Sequence, residues 1–379
     1  MKNLTALKSL LRRFKSIFRP KVPAICEDLT VWFASRQWPI IKLHDAFTLK
    51  LDIPANASHH ETLYRRFLAN QNLGFSAQFL VGLPNTTVLG SQGFVVLEEG
   101  AYLAQGNWRV MNVLGHPDVY SHRKRKQEYL EGDWYSIRSY WSNSYHHWFW
   151  DDLPRLLTAI PHLPPETQFL VGEPFSEFQQ ESLQALGIAA NCIKIQPSDI
   201  NFKIERLWFA TPLGDSEFAA TAPDIAQQLQ AILNPTPHPS PYRKIYISRS
   251  LARYRRIVNE SELIPILENL GFEIVHAEKL SFGSQVKMFN EAKVILSSHG
   301  AGLTNMLFAS SSALILELFE PTAGRPHYWM MAHSLGHNYD CLIGETYHQD
   351  GKIKNDPDFS ICYSKFSNFI NKKSQAIYS

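Results

Sequence analysis

A chain of 379 residues is longer than one hydrophobic core usually serves, so two domains are expected. Its composition, 45% hydrophobic and 19% charged, excludes a disordered chain, and 37 basic against 35 acidic side chains exclude a strongly basic nucleic-acid binder. Four cysteines with no C-x-x-C pair exclude a disulfide scaffold and a zinc or redox motif, and no apolar run is long enough to suggest a membrane span.

The first segment, 1–21, places Leu4, Leu7, Leu11, Phe14 and Phe18 at helical spacing. Lys2, Lys8, Arg12, Arg13, Lys15 and Arg19 fill the other side, and no acid precedes Glu27. Charge interrupts the apolar residues and no small-residue cleavage site follows, so this is not read as a secretory signal. A basic amphipathic helix ending at Pro20 is expected, lying on an anionic membrane surface or docked on the protein's own core. Free thiols and this helix together suggest a cytoplasmic protein, peripheral on the inner face of the cytoplasmic membrane.

The clearest boundary is 234–241, where Pro235, Pro237, Pro239 and Pro241 alternate with other residues. Proline there removes backbone donors and disfavours helix and sheet, which predicts a stiff extended linker. It divides an N-terminal domain, 22–233, from a C-terminal domain, 242–345. In the second, strands are expected at 244–248, 272–276, 294–298 and 313–319, alternating with helices at 261–270, 284–292 and 303–308. That alternation implies a parallel sheet in an α/β domain. The first is less regular, with strands at 94–97, 169–172, 192–195 and 206–209 and helices at 177–186 and 215–233. The polar tail, 346–379, is a candidate to cross back to the first domain. Open α/β sheets bind ligands beyond the C-terminal ends of their strands, so a cleft between the two domains is the expected site.

Three segments carry chemistry. In YWSNSYHHWFWDDLPRL (140–156), His147 and Asp151 are four residues apart and share a face if a helix begins near Tyr145. A carboxylate beside an imidazole suits a general-base pair. Tyr140, Trp141, Tyr145, Trp148, Phe149 and Trp150 crowd the same stretch. Flat aromatic faces suit sugar rings, although each taken singly belongs to a core more often than to a site. Adjacent helical residues point apart, so His146, His147, Asp151 and Asp152 do not all converge on a metal.

In IYISRSLARYRRIVNE (245–260), Arg249 follows a strand, and Arg253, Arg255 and Arg256 come close behind. Guanidinium groups match phosphate oxygens in pairs, which suggests a diphosphate clamp of Arg249 with Arg255 or Arg256. In VILSSHGAGLTN (294–305), a strand runs through a glycine turn, Gly300 and Gly302, into a helix start whose N–H groups suit an anion. The turn matches neither the Walker pattern nor G-x-S-x-G. Glu317 lies near the end of the next strand, where a carboxylate can accept hydrogen bonds from a ribose diol.

Together, SYHHWFWDDLPRL, YISRSLARYRRIVNE and SSHGAGLTNMLFASSSALILELFEP resemble, in this order, the signatures of glycosyltransferase family 61. His147, Trp148, Asp151, Leu153, Pro154 and Arg155 match its first pattern. Arg249, Asn259 and Glu260 match the second, His299, Gly300, Ala301, Gly302 and Asn305 the glycine turn, and Glu317 the acid before its closing proline. The resemblance implies a GT-B-like fold of two Rossmann-like domains facing across a cleft, and inverting transfer in the making of capsule-type polysaccharide. The donor is then a nucleotide-diphosphate sugar, a UDP-sugar by analogy, and the acceptor a glycan or lipid-linked hydroxyl. No metal or other cofactor is expected. Asp151 takes the hydroxyl proton, with His147 orienting or assisting it. Arg249, Arg255, Arg256, Asn259, Glu260, His299, Gly300, Ala301, Gly302, Asn305 and Glu317 line the donor side. Tyr145, Trp148 and Arg155 are acceptor-side or structural. A nucleotide-sugar epimerase of the same fold and a non-catalytic nucleotide-sugar-binding or peripheral membrane protein are the alternatives.

Overall fold

The computed structural model describes residues 24–33, 36, 38–90, 92–105, 116, 119–120, 125–213, 220–310, 312–321, 325–347 and 356–373. The basic segment 1–21 lies outside the described residues. Among the described residues the fold is mixed α/β, built on a nine-stranded and a five-stranded sheet, and no helix is long and apolar enough to cross a membrane.

The five-stranded sheet holds Phe272–Val275, Arg243–Ile247, Ala292–Ser298, Leu314–Phe319 and Asn338–Ile343, neighbours in that order and all parallel. Leu314–Phe319 is buried at every position, as a parallel strand covered on both faces must be. Helices Glu260–Asn269 and Phe282–Asn290 and the 3-10 segment Ala301–Phe308 connect its first four strands in sequence. Gly271, at φ 78°, ends the first helix in the left-handed region that glycine adopts at little cost. Each expected element of 242–319 is present. Helix His327–Ser334 and the strand Asn338–Ile343 extend the sheet beyond what the spacing predicts.

The larger sheet departs from the all-parallel pattern of a Rossmann-like domain. Lys126–Ser136, Gln168–Gly172, Ile193–Gln196 and Ile200–Ala210 form its parallel part. Gln78–Val88, however, runs antiparallel to Ile200–Ala210, Ile40–His44 and Val95–Val96. The turn between Val88 and Val95 is too short for a crossover, so those two strands pair antiparallel. Leu89 N–H donates to Phe94 O at 2.9 Å within it.

The two sheets share one core. Phe149 stacks on Phe282 at 5.5 Å and meets Phe308 edge-on at 5.8 Å. The proline-rich segment has neither helix nor strand, yet it is not a loose tether. Asn234 Nδ2 donates to Phe308 O and to Asn290 Oδ1, both at 2.9 Å, and Asn290 Nδ2 donates to Thr236 O at 2.9 Å. The tail does not seat its apolar face on the first half. Phe366, Phe369 and Ile370 of helix Tyr363–Lys372 lie in the core of the five-stranded sheet, with Leu263 and Leu267. Those three face one side of the helix, so the polar tail carries one apolar stripe, and it is satisfied there.

Candidate functional site

The segment 145–159 is helical, but Trp148–Asp152 within it is π-helical. Pro154 is the cause. It has no N–H for the carbonyl of Trp150, four residues back, and Leu153 N–H turns instead to Trp148 O. Thr221 Oγ1 supplies the missing donor to Trp150 O at 2.7 Å. His147 and Asp151 still meet, with Nδ1 2.6 Å from Oδ2, and both side chains are 16% exposed. Trp141 stacks on the His147 ring at 5.8 Å.

The neighbours of this pair tie it to the five-stranded sheet. Tyr145 OH donates to Asn305 Oδ1 at 2.7 Å, and Asn305 Nδ2 donates to Gln285 Oε1 at 2.9 Å. His146 Nδ1 is hydrogen-bonded to Thr304 Oγ1 at 3.0 Å. The His146 ring lies 5.7 Å from that of His327, which lies 6.0 Å from that of His299. Tyr328 touches both His146 and His299, each at 5.1 Å. Burial holds His146 and His299 well below the ordinary imidazole range and His327 down at about 3, with His147 adding to the effect on His327. Three neutral imidazoles therefore line the join.

On the sheet side, Arg249 follows the strand Arg243–Ile247 and lies against Gly300, so closely that a β-carbon at Gly300 would collide with its guanidinium. Gly302 likewise admits Ile247, whose Cγ2 would stand 3.0 Å from a β-carbon there. Arg255, in the left-handed region at φ 59°, donates from Nη1 to His299 O at 3.3 Å. Burial first, then the repulsion of Arg255, lowers Arg249 from the ordinary guanidinium value. The buried Nε of both arginines lacks a hydrogen-bond partner, with Arg255 Nε 3.7 Å from Asp356 Oδ1. Two partly desolvated cations with unused donors make a field that an anion would satisfy.

Several expected ligand contacts are structural instead. Glu317 is fully buried and shares a hydrogen bond with His299 Nδ1 through Oε1, while Tyr339 OH donates to Oε2. Neither oxygen is offered to a ribose. Burial raises Glu317 far above the carboxylate range while it lowers His299, so the pair is neutral overall. The carboxyl keeps its proton, shared with Nδ1, and the other hydrogen of His299 then sits on Nε2. Arg256 is turned to Asp358, donating from Nε at 3.0 Å and from Nη2 at 2.7 Å. Asn259 brackets the tail, accepting from Ile361 N–H at 3.0 Å and donating to Ile361 O at 2.9 Å. Glu260 accepts from Tyr246 OH at 2.7 Å and from Ser248 Oγ at 3.0 Å, which fixes the strand end that bears Arg249.

Trp148 is buried and donates from Nε1 to Ser182 Oγ at 2.9 Å. Arg155 is buried against Asp152, with Nη2 3.2 Å from Oδ1, and burial pushes that carboxyl up to about 7 against the pull of Arg155. Both residues build the core. The site thus gathers His147, Asp151, Arg249, Arg255, His299, Gly300 and the start of the segment Ala301–Phe308. Sequence reasoning missed His327, Tyr328 and Tyr339. They lie on a helix and a strand that no motif marks, and only the unusual apolar run around Trp329 hinted at a buried element. Among the described residues, no group of three or more His, Cys, Asp or Glu side chains is arranged to hold a metal ion.

The family model described as Glycosyltransferase 61 matches residues 145–316. The EGF domain-specific O-linked N-acetylglucosamine transferase of Drosophila melanogaster is 37% identical over 89 residues, which is 22% of this chain and 17% of that protein. The beta-1,2-xylosyltransferase of Arabidopsis thaliana is 28% identical over 100 residues, 23% of this chain and 19% of that protein. The alpha-1,3-arabinosyltransferase XAT2 of Oryza sativa subsp. japonica is 32% identical over 80 residues, 20% of this chain and 13% of that protein. The matches thus span less than a fifth of each of these relatives. The stretch that the Glycosyltransferase 61 model matches carries the His147–Asp151 pair, the Arg249 strand end and the Gly300 turn.

Proposed function

We propose that this protein is an inverting glycosyltransferase of GT-B-like architecture. It moves a sugar from a nucleotide-diphosphate donor, a UDP-sugar, to a hydroxyl of a glycan or lipid-linked acceptor. The observation that carries the reading is the placement of the His147–Asp151 pair, 2.6 Å apart, beside a second group of residues that holds two cations and a glycine turn. The relatives bear names of N-acetylglucosaminyl, xylosyl and arabinosyl transfer, which support glycosyl transfer without selecting the sugar.

The geometry favours roles that reverse the first expectation. Asp151 accepts from His147 Nδ1, which fixes the tautomer and gives the proton transfer to Nε2. His147 is therefore the base and Asp151 its orienting partner. The acceptor oxygen forms a bond to the anomeric carbon while the bond from that carbon to the diphosphate oxygen breaks. The acceptor proton passes to His147 Nε2, and the electron pair leaves with the diphosphate. General base catalysis of this kind contributes about 10²–10⁴-fold.

The departing charge meets Arg249, Arg255 and the Nε2 hydrogen of His299, with N–H groups at 301–302 beside them. Preorganised charge of this kind usually lowers the barrier more than the proton transfer does. These cations supply the field that a metal would otherwise give, so metal-independent binding is the reading. The apolar and basic pattern of 1–21 supports placement beside an anionic membrane and a role in cell-surface polysaccharide synthesis.

Titration calorimetry of UDP, GDP and CMP into wild type and Arg249→Ala, with and without EDTA, tests the reading. One nucleotide is expected to bind without metal and to lose affinity in the variant. No binding by any nucleotide would overturn the donor site.

A further inference from the structure

The turn before the π-helical segment holds a tryptophan that the chemistry above does not use. Trp141 is 43% exposed, the one exposed indole among the described residues, whereas Trp148, Trp150 and Trp329 are almost wholly buried. An exposed indole is ordinary where it is loose on a surface. Trp141 is not loose. Ser144 N–H donates to its carbonyl at 2.7 Å, and Ser142 N–H donates to Ser139 O at 3.3 Å. Gln179 Nε2 donates to Ser142 O at 3.1 Å, and Ser139 Oγ donates to the buried Asp152 carboxyl at 3.2 Å. Tyr140 packs edge-on against the indole at 4.7 Å and is itself stacked on Phe94 at 6.0 Å.

One part of the indole is spoken for by His147, whose ring is 5.8 Å away and inclined by 23°. The rest of a large apolar surface is held in water at the edge of the proton-accepting pair. Fixing a side chain in place while leaving it wet gains little for the fold, and is what a preorganised binding face requires. The aromatic body is uncharged and flat, so it suits an uncharged ring with an apolar face rather than a phosphate. The cations that suit the donor diphosphate, Arg249 and Arg255, belong to the loop after Ile247.

We infer that Trp141 is the acceptor-binding face of the site. It stacks on the C–H face of the acceptor pyranose and brings that ring's hydroxyl to His147. Trp141 is a positioning residue in this scheme and takes no part in proton transfer. The inference rests on the transferase reading and adds to it the side from which the acceptor enters and the chemistry that holds it.

The test uses the full chain labelled with 5-fluorotryptophan. The fluorine resonance lost in Trp141→Phe is that of Trp141. It is titrated with methyl β-D-xyloside, methyl β-D-glucoside, methyl β-D-galactoside and methyl N-acetyl-β-D-glucosaminide, and separately with UDP. At least one glycoside is expected to shift that resonance saturably, and UDP to leave it in place. Trp141→Ala is expected to weaken binding of that glycoside by up to about tenfold, an aromatic contact of ordinary strength, and Trp141→Phe to recover most of it. UDP affinity is expected to be the same in all three proteins. A resonance that answers UDP, or loss of UDP affinity in Trp141→Ala, would overturn the assignment by placing the indole on the donor side. Silence towards every glycoside would overturn it as well. Failure of the transferase reading would register differently, as wild-type protein that binds no nucleotide.

Discussion

The guanidinium of Arg249 occupies the space that a side chain at Gly300 would fill. The backbone of Gly300 is extended, at φ 171°, so glycine is required there by proximity and not by conformation. Gly300→Ala should therefore displace Arg249 from the turn and mimic its removal. Hydrogen bonds from a charged donor contribute about 1.5–3 kcal/mol, so nucleotide affinity should fall about 10- to 100-fold. Titration calorimetry with UDP checks it, and unchanged affinity in a folded variant would separate Arg249 from the donor.

The His147–Asp151 hydrogen bond predicts a different signature. His147→Ala and Asp151→Asn should each slow sugar transfer by about 10²–10⁴-fold and leave UDP affinity as in wild type. Asparagine can keep the contact but offers Nδ1 the wrong tautomer. Single-turnover rates set beside calorimetric affinities decide the matter. Lost affinity with undiminished turnover of bound donor would contradict the assignment.

The phenol of Tyr339 donates to a carboxyl that is fully buried. Tyr339→Phe leaves Glu317 Oε2 without that donor, and the cost should be about 1–3 kcal/mol of stability. Urea denaturation of the two proteins measures it. A difference within a few tenths of a kcal/mol would show that the hydrogen bond is replaced by water.

Acid should destabilise the protein through its buried imidazoles before its exposed carboxylates are titrated. Burial lowers His146 well below 6.5, His327 to about 3 and His337 to about 4. The unfolded chain takes up these protons below about pH 6.5 and the folded chain does not, so the unfolded state binds more and stability falls with pH. The loss runs from about pH 6.5 down to about pH 4 for His337 and about pH 3 for His327, and the buried Asp152 and Glu317 carboxyls, protonated in the fold and ionised in the unfolded chain, offset part of it. Each group contributes up to about 1.4 kcal/mol per pH unit in that window. Urea midpoints at pH 7, 6 and 5 should drop steadily, and His337→Gln should flatten the slope. Equal midpoints at all three values would mean the imidazoles charge within the fold.

The sequence spoke most clearly where local rules govern. Strands expected at 294–298 and 313–319 announced themselves as apolar runs and stand at Ala292–Ser298 and Leu314–Phe319, and the i,i+4 spacing of His147 and Asp151 held even through a π-turn. The first sheet was harder, because its strand Ile200–Ala210 carries Lys203, Glu205 and Arg206 on an exposed face and reads as a short strand with a polar lead. The site residues divided by partner. Arg249 and Arg255 retain unused donors, whereas Arg256, Asn259, Glu260 and Glu317 are committed to partners between 12 and 102 residues away. No local pattern records such partners, so motif membership alone could not tell a ligand contact from a brace.

One brace bears on how the protein is made. Asn259 and Arg256 are held by Ile361 and Asp358, each 102 residues later in the chain. Phe359 N–H donates to Arg256 O at 3.0 Å and Val258 N–H to Phe359 O at 2.9 Å, so the arginine loop is finished by a strand synthesised long after it. At ribosomal speeds of about 5–20 residues per second, that is a wait of roughly 5–20 s. In the last part of it, once Asn338–Ile343 has been made, the five-stranded sheet has its glycine turn and Arg249 but still lacks the clasp on the loop that bears Arg255. The nascent chain thus passes through a stage in which the loop bearing Arg249 and Arg255 is still unshaped, and under the proposed function competence for nucleotide waits on the synthesis of Phe359–Ile361.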